Sequence, residues 1–459
     1  MVGGADSIAI SHEYCDTNAL PAESTRVETL SNGQFYKLCP GSHQHSDGNF
    51  TKFGQPRCGD GSNFAFYLTR PEQPQIEEQK ILLELSGGGA CWDKTTCGLQ
   101  KPLLKMPPID FVLGMSCSDL GAIADASKGW DMLCARTVGQ TDFTEYNTVV
   151  IPYCTQDIHL GDAEAFYDGI NIRHVGAHNA YRTLQWIFDN FDKPSHIVLT
   201  GCSAGASPLP VIYRMIKEHY KAEGVNVDVD IIADSPVYLT PKNFVENYFQ
   251  SWNHGTVMES IGFDYETYKT NTQYPSVVMD YVLDRSDEND GFGMISHKVD
   301  QVSIMYYAAM GGKGEWWGEM NETWSQAKTE HQNFDIFIMD GSGHCSSGLY
   351  FANQQNNFDT WVSKIIDETS SSASISDAQL ETMVTNTSVT TTNGGVNTTS
   401  MTTTNPTDDD TSEAHEYVPL DSQAQPSSTK IDASNTATLT TNAIIATTLC
   451  FHLSMLLLW

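Results

Sequence analysis

The sequence predicts an α/β fold up to about residue 367, a mostly parallel sheet with helices on both faces, followed by a disordered tail. Three observations predict it. Short β-rich runs alternate with longer helical stretches. One of those stretches has a clear helical face. The composition changes at Glu368 from aromatic and aliphatic residues to Ser, Thr, Asn and Asp.

The strand candidates are residues 80–86, 147–153, 195–200, 227–233, 293–298 and 335–339. A helix is expected over 171–191, where Ala177, Tyr181, Leu184, Phe188 and Phe191 are spaced 4, 3, 4 and 3 apart. A second is expected over 211–220. Pro208 and Pro210 precede it, and proline is tolerated only in a first turn, so it should start late or bend. Ligands in such sheets bind beyond the C-terminal ends of the strands, so the loops after each strand are the places to look.

The chain has 25 basic and 57 acidic residues, a net charge of −32. Nucleic-acid binding is excluded as a function class, because phosphate contacts need clustered Lys and Arg. Asp408–Asp410 reads as a solvated charge run. Of eleven cysteines none forms a zinc-type pair, and several sit in loop-like sequence, as disulfide cysteines of secreted proteins do. Cys91 and Cys97 would close a short local loop. Sequons occur at Asn49, Asn321, Asn386 and Asn397. No signal peptide is visible after Met1, which fits either an incomplete start or a cytosolic protein; export is the expectation, on the strength of the C-terminus.

Residues 368–441 have almost no large apolar side chains and cannot offset the entropy of ordering. They read as a disordered, mucin-like stalk. Residues 442–459 are apolar and uncharged. With small residues around Ser434 and Asn435 upstream, they fit a GPI-attachment signal. A tail-anchored membrane helix is the alternative. The catalytic domain is expected over 27–367, at the cell surface.

The chemistry is carried by two glycine motifs. Gly201-Cys202-Ser203-Ala204-Gly205 follows a strand and precedes a helix. That context turns G-x-S-x-G into a nucleophile elbow with Ser203 Oγ exposed. The Ala204 N–H then faces a developing oxyanion. Ser86-Gly87-Gly88-Gly89-Ala90-Cys91-Trp92 follows an earlier strand. Its bare N–H groups would complete the oxyanion hole.

A serine nucleophile needs a base and an acid, in the chain order Ser, Asp/Glu, His for this elbow type. His344 lies in a glycine-loosened loop just after the last strand candidate. Two acids end strands. Asp300 fits the late-strand position better; Asp234 would hold a loop or line the site. The segment 152–162 contains Asp157, His159 and Asp162. It reads as a structural or substrate-facing loop, since the spacing is not diagnostic of a metal and serine hydrolysis needs neither metal nor cofactor.

Together these motifs resemble the pectin acetylesterase and Notum family of α/β-hydrolases, roughly from Val27 to Trp361. The residues that carry the resemblance are 85–92 with Cys97, Pro152-Tyr153-Cys154, 201–205, Ala233-Asp234-Ser235, Asp300-Gln301-Val302 and Gly343-His344-Cys345. It implies Ser203 as nucleophile, Asp300 as acid, His344 as base, and an oxyanion hole from Gly88, Gly89 and Ala204. Notum-like members carry a Trp where this chain has Gly89, in the wall of a lipid pocket. Trp92 and the cluster Trp316, Trp317 and Trp324 are candidates for stacking on sugar rings.

The expected function is removal of O-acetyl groups from polysaccharide. Alternatives are a Notum-like lipid-ester deacylase, another small-ester hydrolase, and a non-catalytic surface glycoprotein that uses the fold for binding. The net charge would repel a polyuronate unless counterions screen it, so a neutral acetylated glycan fits as well.

Overall fold

The computed structural model describes residues 19–40, 54–73, 79–106, 137–138, 141–271, 273–347 and 356–366, all within one unit, Met1–Ser371. The expected stalk and anchor, and the sequons at Asn49, Asn386 and Asn397, lie outside the described residues. Asn321 falls within a helix. No helix among the described residues is long and apolar enough to cross a membrane.

Nine strands form the main sheet: β1 (Leu20–Pro21), β2 (Phe35–Cys39), β3 (Phe66–Thr69), β4 (Gln79–Leu85), β5 (Asn147–Ile151), β6 (Pro194–Cys202), β7 (Asp228–Asp234), β8 (Phe292–Val299) and β9 (Phe334–Ser342). Their spatial order is β1-β2-β3-β5-β4-β6-β7-β8-β9. Only β3 runs antiparallel, against β2 and β5; every other pairing is parallel. The expected α/β architecture is therefore present, with an N-terminal edge the sequence reading did not foresee.

The central strands are apolar on both faces because both faces are covered. On β4, Ile81, Leu83 and Leu85 join the larger core while Leu82 joins the smaller one. On β6 the same alternation separates Ile197 and Leu199 from Val198, and on β7 Val229, Ile231 and Ala233 from Ile232. The larger core is closed by helices spanning Gly176–Asn190 and Leu209–Ala222. The smaller one is closed by a helix over Asn356–Ile366 through Phe358, Trp361, Val362 and Ile365.

The helix expected over 171–191 begins at Gly176. Residues 170–174 instead pair antiparallel with Ala163–Tyr167 as a separate hairpin. The second helix starts at Leu209, with Pro208 as its N-cap and Pro210 in its first turn, where no backbone donor is needed.

The register aligns Leu85 with Gly201, Cys202 with Asp234, and Asp234 with Ile295. The glycine run, Ser203, Asp300 and His344 thus all follow the C-terminal ends of β4, β6, β8 and β9.

Candidate active site

β6 ends at Cys202, and Ser203 takes φ +56°, a left-handed conformation costly for a non-glycine residue and frequent at functional sites. A tight turn over Ser203–Gly205 follows. The turn fits only because its flanks lack side chains. A Cβ on Gly201 would sit 2.6 Å from the Gly205 carbonyl oxygen, and one on Gly205 would collide with the Leu85 carbonyl oxygen. The glycine run packs equally close, since a Cβ on Gly87 would stand 3.3 Å from Ser203 Cβ. The first glycine of the run is thus packed against the serine from the neighbouring strand, while Gly88 lies against Tyr153 and Gly89 against Tyr306.

Asp300 is fully buried at the end of β8 and caps the helix Gln301–Ala309, its Oδ1 accepting the Ser303 N–H at 2.9 Å. Both its oxygens also face His344 Nδ1, Oδ2 at 2.8 Å and Oδ1 at 3.0 Å. A carboxylate only accepts, so Nδ1 carries the proton and donates. That leaves Nε2 as the acceptor nitrogen; it is buried and has no hydrogen-bond partner among the described residues.

Asp234 makes no such contact. It accepts from the Ser235 hydroxyl at 2.8 Å and from the Ser347 N–H at 2.7 Å, while Ser235 Oγ accepts the Cys345 N–H at 3.1 Å. Burial pushes the Asp234 carboxyl above the usual carboxylate range, against the Ser347 and Ser235 donors. Asp234 therefore anchors the loop that carries His344.

A disulfide joins Cys202, just before Ser203, to Cys345, just after His344. It fixes the elbow to the histidine loop across a sequence separation of 143. Cys58–Cys154 and Cys91–Cys97 are two further disulfides, and Cys39 is disulfide-bonded as well. Two clusters have metal-like spacing, Cys91/Cys97/His174 and Cys202/His344/Cys345, but in each the two sulfurs are bonded to one another and offer no thiolate.

The 152–162 loop, expected to be structural or substrate-facing, and Trp92 are held by buried contacts. Asp157 is fully buried and accepts from Thr155 Oγ1 at 2.6 Å, the Gly176 N–H at 2.7 Å and the His159 N–H at 3.2 Å. Burial pushes its pKa up to about 6. His159 is buried too, its Nε2 donating to the Ser86 carbonyl at 2.9 Å, and burial brings its pKa down to about 4. The pair ties the loop to the glycine run and holds Gln156, Ile158 and His159 at positive φ. Asp162 turns away to His178. Trp92 is buried against Phe244, Tyr248 and Tyr306. Trp316 and Trp324 are core residues.

Sequence alone assigned no role to Ser235 and carried no sign of Tyr306 or Ser347. Tyr306 lies on the helix that Asp300 caps, and its Oη accepts the Ala90 N–H at 3.3 Å. A Cβ on Gly89 would collide with that hydroxyl. No sequence motif marks a lone tyrosine in an ordinary helix; only the sheet crossing brings it to the glycine run.

Comparison with known proteins agrees with the motifs. Residues 51–277 match the sequence model of the family described as Pectinacetylesterase. A curated Xenopus laevis protein, palmitoleoyl-protein carboxylesterase notum2, is 24% identical over 197 residues, which take in 42% of this chain and 37% of that relative. The crystal structure of the Wnt deacylase Notum from Drosophila is similar at a TM-score of 0.41 and 16% identity, over 63% of this chain and 82% of that one. Residues 51–277 thus match the pectinacetylesterase family model, and part of the chain is similar in sequence to a Notum protein.

Proposed function

We propose that the chain is a serine carboxylic-ester hydrolase that removes O-acetyl groups from extracellular polysaccharide. The observation that carries this is the pair of buried Asp300 and half-buried His344, stapled through Cys202–Cys345 to the Ser203 elbow. In this reading His344 Nε2 takes the proton from Ser203 Oγ as it attacks the ester carbonyl. Asp300 holds the tautomer and stabilises the imidazolium. The N–H groups of Gly88, Gly89 and Ala204 receive the oxyanion, and water then releases the acid. The reaction calls for no cofactor.

The Xenopus relative is a palmitoleoyl-protein carboxylesterase, so a lipid-ester substrate is the competing reading. Against it, the place a bulky residue at 89 would fill is taken by the Tyr306 hydroxyl. A long acyl chain is held only if its methylenes are buried, at ~0.8 kcal/mol each. On matched aryl esters kcat/KM should fall from acetyl to octanoyl, and Ser203→Ala should abolish turnover down to a small residual rate. A rising series would favour the lipid deacylase. Normal turnover by a folded Ser203→Ala would remove the serine mechanism. Released acetate across a panel of acetylated glycans would name the polymer.

The same reading puts the enzyme outside the cell. The disulfides suit an oxidising compartment. The stalk over 368–441 and the apolar terminus over 442–459 suit a GPI-anchored surface enzyme.

A further inference from the structure

Tyr306 stands where the helix that begins at Asp300 meets the glycine run. Its Oη accepts two hydrogen bonds, from the Ala90 N–H at 3.3 Å and from Gln100 Nε2 at 3.1 Å. A phenol oxygen also carries one proton to donate. Among the described residues that proton has no acceptor, although the ring is half-buried and packs toward Trp92 with centroids 6.3 Å apart. The hydroxyl lies against Gly89, whose N–H is assigned above to the oxyanion.

Two N–H groups donating into Oη polarise its O–H bond and make it a stronger donor. Burial pushes the phenol pKa up to about 12, so the group keeps its proton at any working pH. A side-chain hydroxyl fixed in this way is one of the donor types that stabilise developing oxyanions.

We propose that Tyr306 is a further catalytic residue, its hydroxyl donating to the ester carbonyl oxygen as that oxygen gains charge. The inference rests on the esterase reading. It adds a donor that neither glycine motif supplies, and it places that donor on the helix that carries the acid. One helix thereby sets both the charge partner of His344 and a contact to the oxyanion.

The test replaces Tyr306 with Phe and, separately, with 3-fluorotyrosine, and follows aryl-acetate turnover. Tyr306→Phe should lower kcat by about 10²- to 10³-fold with KM nearly unchanged. The fluorinated phenol is a stronger donor and a weaker acceptor. A donor role therefore keeps kcat at or above the wild-type value, whereas a strut that only accepts from Ala90 and Gln100 would lose rate. The nearly isosteric fluorinated variant also covers the case in which Tyr306→Phe folds poorly. Full kcat in Tyr306→Phe, or a lower kcat in the fluorinated protein, would overturn the proposal. A wild-type protein that a fluorophosphonate fails to label at Ser203 would overturn the esterase reading itself. A labelled wild type beside a fully active Tyr306→Phe would overturn this inference alone.

Discussion

Asp300→Asn tests the acid assignment most sharply. The Ser303 N–H, 2.9 Å from Oδ1, requires an acceptor there, so the asparagine oxygen is held at the helix cap. Its NH2 group is then left facing His344 Nδ1, where Oδ2 now stands at 2.8 Å. Two donors cannot face each other. The imidazole shifts its proton to Nε2 and can no longer accept from Ser203. The same change in a serine-protease triad lowers kcat ~10⁴-fold, which is ~5.5 kcal/mol at 1.36 kcal/mol per decade. Asp234→Asn should behave differently, because Asp234 is bonded to Ser235 and Ser347. It weakens a loop anchor, worth about 1–3 kcal/mol of stability, and costs at most about tenfold in kcat. The assay is aryl-acetate turnover at saturating substrate, with melting temperatures for both variants. The reasoning fails if Asp234→Asn is the slower enzyme, or if folded Asp300→Asn stays within about tenfold of wild type.

Removing the Cys202–Cys345 link by a double Cys→Ala change should lower kcat more than it raises KM, because it frees the histidine loop from the elbow; an unchanged kcat would show that Asp234 and Ser235 suffice. His174 is buried, its Nδ1 donating to the Thr155 carbonyl at 2.9 Å, and burial brings its pKa down to about 4 from 6.5. Below pH 6.5 the unfolded chain binds this proton and the fold does not, so stability is lost as pH falls from 6.5 toward 4. His174→Gln should therefore melt below wild type at pH 7, with the gap narrowing toward pH 4.5; a constant gap by calorimetry would contradict this. Phosphatidylinositol-specific phospholipase C should release the native protein from cells, whereas retention of a peptide ending in Trp459 would point to a membrane helix.

The central sheet was legible because its strands are continuous apolar runs, two of which, β4 and β6, end in glycine motifs. β4 and β6 fall within two residues of their expected bounds. The N-terminal edge was not. Phe35–Cys39 and Phe66–Thr69 are short and lack clean alternation, and the pairing of the second with distant β5 leaves no local mark. The hairpin over 163–174 was hidden because the helical spacing that starts at Ala177 was extended back over it. What stops the helix there is tertiary: buried Asp157 accepts the Gly176 N–H. Between Asp300 and Asp234 sequence offered only a preference. The choice turns on β8 running beyond Ile295, the partner of Asp234, to Val299 before its acid appears. The burial of Trp92, Asp157 and His159 depends on what crosses above them, which periodicity does not report.

The spatial order of the sheet also governs when the molecule becomes competent. The glycine run and the elbow sit on adjacent strands, β4 and β6, and are synthesised before the acid and the base. β9, the last strand of the sheet, brings His344 only at its far edge, beside β8. A nascent chain that has reached β6 thus carries the serine before the histidine loop has been made. The cysteine beside that serine waits for a partner 143 residues downstream. On the proposed reading, catalytic competence comes only with the last strand of the sheet. An assay of turnover would therefore report completion of the whole sheet, while an antibody to the elbow would report only its first half.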